Sequence, residues 1–380
     1  MAAGRSAAPA RGGQRNGQSA SSPWPHYQAA TLGLRNYWYP AAWSRQIGAK
    51  PAVRQLLGEP IMLRREGGKV YALHDQCPHR GIPLSVGRQE FAGAWTCRYH
   101  GWTYDLASGE LRAALTDGPD SPIRGKVCVR TYPVQERAGL VWIWMGDGPP
   151  ASLEADVPEQ FLQEDSVVMG RISIQRGNWR IAVEGSSDFG HAFYLHRYGN
   201  FHFLFRKLPA YHQAADFEEQ GGWLMKVRAS TQQAFQADYP GLGIWPRKRF
   251  WKWLRRNQRI SIRLPGVVRL EYSTDPYTDY IWVVPVDEDH HQLCQLSVLR
   301  ARGIRALAFR LHYRLYLYWA HHVQFNGQDA WMISLMRRLP SPVRLYRPDL
   351  SFVAWRELCE RARDFAPAGQ AAEDSVAVRT

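Results

Sequence analysis

The chain has 380 residues, 45% hydrophobic and 22% charged, a make-up that excludes fibrous and wholly disordered classes and suits about two or three globular domains. Its formal charge of +14 admits nucleic acid, an anionic membrane or an acidic protein as partner; with no arginine-rich recognition helix or RNP-type motif, nucleic acid is set aside. Five cysteines are too few, and odd in number, for a secreted disulfide framework.

Residues 1–30 open in an Ala/Gly/Ser/Arg-rich run without the apolar core of a signal peptide, and are expected as a disordered tail. No run approaches the ~18 apolar residues of a transmembrane segment, so the chain is expected in the cytoplasm. Over 31–150, short strand-like stretches alternate with turns, among them PIMLRRE (60–66), KVYALHD (69–75) and GLVWIWMGD (139–147). GDGPP (146–150) breaks that texture and marks an expected domain boundary. Beyond it, RISIQ (171–175) leads into NWRIAVEGSSDFGHAFYLHR (178–197), which reads as helix with glycine interruptions. Strand candidates follow at 223–230, 259–272, 279–286 and 291–300, then a long helical segment from Ile304 to Arg338. The expected fold class is α+β: an all-β N-terminal domain (31–150), a larger domain (151–367) with an antiparallel sheet flanked by helices, and a C-terminal tail (368–380). Cys128, Cys294 and Cys359 stand alone in sequence and are expected as buried thiols.

The other two cysteines each sit beside a histidine. CPHRG holds Cys77 and His79; with seventeen residues between His79 and Cys97, CRYHGW holds Cys97 and His100. Both stretches follow strand-like segments and carry glycine, as loops that present side chains to a metal do. Tetrahedral zinc accepts two cysteines and two histidines, but zinc sites typically pair like with like. A [2Fe–2S] cluster with two cysteines on one iron and two histidines on the other needs each loop to serve both irons. The mixed loops favour that cluster over zinc and over chance pairing.

A second cluster lies in EGSSDFGHAFYLH: Glu184, Asp188, His191 and His196. On a continuous helix Asp188 and His191 share a face, whereas His191 and His196 lie roughly 140° apart. Both histidines reach one metal only if the helix ends or bulges between them. Two histidines and one carboxylate make the facial triad of non-heme Fe(II) oxygenases, which leaves positions open for O2. Between Ala301 and Pro348 the only acidic residue is Asp329; in that apolar helix it needs a partner, unless it is a cap after Gly327. His321 and His322 precede it by about two turns and read as pocket-lining or, by preference, packed core residues.

CPHRG, CRYHGW and the preceding RNYWYPAAW (35–43) resemble the cluster loops and domain entry of Rieske non-heme iron oxygenases. D-x-x-H-x-x-x-x-H with Glu four residues ahead resembles that family's iron-binding helix; Gly185 departs from it, where the family often has Asn. RISIRLPGVVRLEY and DYIWVVPVDED resemble the homotrimeric carbazole-dioxygenase and vanillate-demethylase-like branch. The resemblance implies that Cys77 and Cys97 hold one cluster iron and His79 and His100 the other. It implies a mononuclear Fe(II) on His191, His196 and Asp329. Asp188 would bridge His191 to the partner subunit's His100, in a head-to-tail homotrimer. The implied protein is a terminal oxygenase that takes electrons from a separate ferredoxin or flavin reductase and uses O2 to hydroxylate or demethylate an apolar, aromatic or polycyclic substrate. A Rieske electron carrier without oxygenase activity is the alternative, and a zinc-stabilised binding protein a third. Phe201, Phe203, Phe205 and Trp245 are pocket candidates. RKRFWKWLRR (247–256) is a docking face for an acidic redox partner, a lid, a membrane patch or a solvated loop.

Overall fold

Glycine turns chop the first half of the chain into strands too short for anything but small antiparallel sheets. The computed structural model describes residues 22–188, 191, 195–196, 207–238, 258–272, 275–336, 344–346 and 349–363. A single helical turn, α1 (Pro25–Ala29), precedes β1 (Trp38–Trp43), β2 (Ala52–Leu56), β3 (Glu59–Glu66), β4 (Lys69–His74), β5 (Ala94–Thr96), β6 (Trp102–Asp105), β7 (Leu111–Ala114), β8 (Val134–Arg137) and β9 (Leu140–Trp144). They form three antiparallel sheets, in the orders β1-β9-β8, β2-β3-β4 and β5-β6-β7.

After the short helix α2 (Glu159–Leu162) comes β10 (Ser166–Arg176), then α3 (Trp179–Ser187). β11 (Lys207–Gln220), β12 (Trp223–Asp238), β13 (Gln258–Arg263), β14 (Val267–Tyr272), β15 (Thr278–Pro285) and β16 (His290–Arg300) complete an antiparallel sheet ordered β10-β16-β15-β14-β13-β12-β11. The last stretch is helical: α4 (Gly303–His312), two π turns (Tyr313–Leu317 and Ala320–Phe325), α5 (Asn326–Met336) and, further on, α6 (Leu350–Cys359). The α+β class is as expected.

One apolar core runs through both halves of the chain. β1 and β9 are buried along their whole length, which suits their unbroken apolar sequences WYPAAW and LVWIW. Trp142 of β9 meets Trp282 of β15 edge to face at 5.4 Å, and Phe161 of α2 packs against both. A separate cluster, including Leu73, Leu84, Trp95 and Leu106, encloses Cys77 and Cys97.

α3 is anchored at its entry. Gly177 turns with φ +119°, and a Cβ there would meet Ile333 Cγ2 at 2.4 Å. The Asn178 side chain accepts from Arg180 N at 3.1 Å and donates to Glu288 O at 2.8 Å, a cap and a tie to the β15–β16 turn at once. Trp179 Nε1 donates to Ala30 O at 2.8 Å. α3 and α5 pack together.

Three expectations need correction. The tail to residue 30 ends sooner: Tyr27 and Ala30 are buried, because an aromatic residue there has a pocket between α3 and α6. The helix expected over 178–197 ends at Ser187, where Asp188 turns extended at ψ 123°. Cys128 is exposed, not buried, while Cys294 and Cys359 are buried as expected. The long helix from 304 is present, with its two π turns unanticipated.

Two buried histidines make the fold acid-sensitive. His291 hydrogen-bonds Gly177 O through Nδ1 at 2.8 Å, and burial pulls it down to about 4. Burial likewise takes His322, paired with Tyr313 at 2.6 Å, down to about 3. Both stay neutral in the fold, while the unfolded chain takes up their protons near pH ~6.5. The unfolded state thus binds more protons between those values, and stability falls as pH drops below about 6.5. Thermal melting across that range should show the loss, and His291→Gln should flatten its slope; an unchanged slope rules out His291 as a source.

Candidate functional site

The two Cys/His loops are built alike. Cys77 N donates to Ile82 O at 2.8 Å and Gly81 N to Cys77 O at 2.9 Å; Cys97 N donates to Trp102 O at 2.8 Å and Gly101 N to Cys97 O at 3.1 Å. Each turn needs a positive φ at its closing residue, 72° at Gly81 and 70° at Gly101, which is why glycine stands there. At Gly101 a Cβ would also meet Leu115 Cβ at 2.7 Å.

Both cysteines are buried, whereas His79 is exposed and His100 half-buried. The two imidazoles meet edge to face with ring centres 4.6 Å apart, and His79 stacks on Trp102 at 4.5 Å. Tyr104 Oη lies 3.2 Å from Cys77 Sγ. Burial pushes the Cys77 thiol up, opposed by the Tyr104 hydroxyl and the His79 backbone N–H. Those two donors suit a thiolate that holds a metal, so the pocket fits a cluster with its sulfur-bound side inside and its imidazole-bound side outward.

At the second site the end of α3 does the work. Because the helix stops at Ser187, His191 and His196 lie off the helix, and His191 Nε2 comes within 3.2 Å of His196 Nε2. Asp329, in the first turn of α5, places Oδ1 3.1 Å from His196 Nε2 and 3.5 Å from His191 Nε2. The three candidate ligand atoms fall within 4.8 Å of one another, the only such group among the described residues. Asp329 is neither a cap nor a core acid. Two imidazole nitrogens and a carboxylate oxygen converging on one point fit a divalent iron with open positions.

The outer nitrogens of both rings are held. His191 Nδ1 faces Asp188 Oδ2 at 3.4 Å, and His196 Nδ1 meets Gln328 Oε1 at 3.0 Å. An amide oxygen only accepts, so His196 carries its proton on Nδ1 and leaves Nε2 for a metal. Burial works against a proton on His191, but Asp188 and Asp329 outweigh it and raise the imidazole to about 9. Phe325 covers His196 at 4.2 Å.

Glu184 does not join this group. Its carboxylate accepts from Tyr27 Oη at 2.8 Å and from Arg356 Nε at 2.7 Å, all three buried. It ties α3 to the N-terminal strap and to α6. His321 Nε2 lies 3.7 Å from buried Asp279, and His322 is packed on Tyr313; the packed-histidine reading fits both. Phe201, Phe203, Phe205, Trp245 and the run 247–256 lie outside the described residues. Reading the sequence missed Gln328, Tyr104 and Arg356. Gln328 had one available signal, its place beside the lone acid Asp329.

A metal-dependent oxygenase supplied by its own electron relay is the class these two donor sets define together. Residues 37–133 match the family described as Rieske [2Fe-2S] domain, and residues 144–207 match that described as homotrimeric ring hydroxylase. The terminal oxygenase component CarAa of carbazole 1,9a-dioxygenase from Sphingomonas sp. is 31% identical over 366 residues, 89% of this chain and 94% of that protein. The solved terminal oxygenase of carbazole 1,9a-dioxygenase from Novosphingobium sp. KA1 superposes with a TM-score of 0.77 at 29% identity, covering 91% of this chain and 97% of that one. The oxygenase in a reduced complex with ferredoxin in carbazole 1,9a-dioxygenase also gives 0.77, at 28% identity, covering 90% of this chain and 93% of that one. The chain belongs to the Rieske non-heme iron oxygenases, as a terminal oxygenase component. Its cofactors are a Rieske [2Fe–2S] cluster and a mononuclear iron. The electron-carrier and zinc-protein alternatives fall with that assignment.

Proposed function

We propose that Cys77, His79, Cys97 and His100 hold the cluster within residues 31–150, and that His191, His196 and Asp329 hold the iron within 151–367. The convergence of those last three side chains within 4.8 Å carries the reading. When bound, the cluster supplies one-electron transfer and the iron supplies O2 activation. The residues do the rest. Asp188 orients His191 from outside, and Gln328 does the same for His196. The outward faces of His79 and His100 suit electron entry and exit, and Asp188 is the exit's partner across a subunit boundary. The assembly is a head-to-tail homotrimer, in keeping with the homotrimeric ring hydroxylase family match.

The donor in this reading is a ferredoxin or its reductase, as the ferredoxin complex of a similar oxygenase suggests. The substrate is an apolar aromatic or polycyclic ring compound. Named substrates of similar proteins include carbazole, dicamba and vanillate. Hydroxylation and oxidative demethylation both belong to this class, and a cytoplasmic setting fits the unpaired cysteines.

Asp188→Asn tests the relay. Both metals should stay, and turnover should fall roughly 10–100-fold, the usual loss for an oriented outer partner. Unchanged product formation would refute the role. Gln328→Leu should weaken iron affinity by a similar factor through misorienting His196, with the cluster intact. Iron titration of the stripped protein measures it, and equal affinity removes Gln328 from the site.

A further inference from the structure

The segment from Gly303 to Phe325 shows the core only one of its faces. Ala306, Phe309, Tyr313, Leu317 and Ala320 are buried. On the opposite side Ile304, Leu307, Leu311, Leu315, Trp319 and Val323 are exposed, recurring every three or four residues. Ile304 is 81% exposed and Leu315 82%. Scattered surface leucines need no explanation; an unbroken apolar stripe about 29 Å long does.

The charges beside the stripe are of one sign. Arg305, Arg310 and Arg314 are exposed and form no ion pair among the described residues, while Arg302 lies in the field of Asp165. No acidic residue occurs between Ala301 and Gln328. On a helical wheel Arg310 and Arg314 fall on one flank of the stripe and Arg305 on the other, about 100° from its centre. A second copy docking through the same stripe would set arginine against arginine, with no carboxylate on the segment to meet it. A sheet of lipid phosphates would bring the opposite charge, with acyl chains beneath it to take the apolar side chains. Tryptophan and tyrosine, here Trp319 and Tyr318, suit that boundary.

We propose that this helix lies in the headgroup plane of an anionic phospholipid bilayer, with its outer apolar stripe immersed and its flanking arginines on lipid phosphates. The inference is independent of the catalytic assignment. The run 247–256 repeats the same mixture of basic and aromatic residues in sequence.

Flotation of the intact holoprotein tests it, with vesicles of phosphatidylcholine alone and of phosphatidylcholine mixed with phosphatidylglycerol. The protein should float with the mixed vesicles and at least tenfold less with the neutral ones, and added salt should weaken binding. Ile304→Glu with Leu315→Glu should abolish flotation, and Arg310→Gln with Arg314→Gln should reduce it roughly tenfold. Both positions in the first pair are solvent-exposed, so folding, cluster absorbance and turnover on a water-dissolved substrate should be unchanged. No flotation of the parent protein, or flotation that these variants leave intact, overturns the proposal. So does a variant that changes the oligomeric state instead, since the stripe would then be a contact between copies.

Discussion

Asp329→Ala should strip the mononuclear iron and leave the cluster. Asp329 supplies the carboxylate oxygen that approaches the Nε2 atoms of both His191 and His196, the three atoms lying within 4.8 Å of one another. Without it two imidazoles remain, a set that holds divalent iron weakly. Turnover should fall by more than about 100-fold, beyond the loss typical of an outer-shell partner. The cluster loops belong to another part of the fold, enclosed by their own apolar cluster, so visible absorbance and the reduced-state EPR signal should persist. They also serve as the folding control. Iron analysis decides: one iron per chain beyond the cluster in the alanine variant contradicts the ligand assignment.

Glu184→Ala should cost the most stability. It leaves Arg356 buried without its carboxylate and removes the acceptor of the Tyr27 hydroxyl. Breaking one partner of a buried pair costs about 3–5 kcal/mol. At the usual conversion for domains of this size the melting temperature drops by roughly 10 °C. The Tyr27 phenol, pushed up mainly by burial and further by the Glu184 charge, stays neutral and must find another acceptor. Replacing both partners, Glu184→Met with Arg356→Leu, should recover most of the loss, because the stranded charge is gone. Equal melting of the alanine variant and the parent would show that the pair carries no stability.

Much of the chemistry was legible because it sits in short loops with local rules. Cys77 with His79 and Cys97 with His100 are neighbours in sequence, each turn closed by a glycine that the left-handed conformation demands. Asp329 stood out as a lone acid in an apolar helix. β3, β4, β9, β10, β12, β15 and β16 followed from apolar runs between turns, and β13 with β14 as one run; β5 to β8 and β11 were not singled out. The end of α3 was harder. Apolar residues continue through AFYLH, so periodicity carried the helix on to residue 197, and nothing local announces the turn at Asp188. That turn nevertheless lets His191 and His196 meet. Glu184 and Arg356 are 172 positions apart; no pattern in one sequence joins them. Gln328 carried a signal that needed geometry to interpret, since an amide beside an acid has no fixed role. Cys128 went the other way: an isolated cysteine reads as core, but an edge of the small β module leaves it exposed.

Electrons that enter at the cluster should leave the protein in an oxygenated product. The direct measurement is mass spectrometry of products formed from carbazole or a similar ring substrate under isotopically labelled O2, with ferredoxin and its reductase supplying electrons. Labelled oxygen should appear in the product from the parent protein and not in that from Asp329→Ala, although both clusters reduce. A cluster that reduces and reoxidises in the parent protein, with no label in any product across a panel of apolar aromatic substrates, would contradict it.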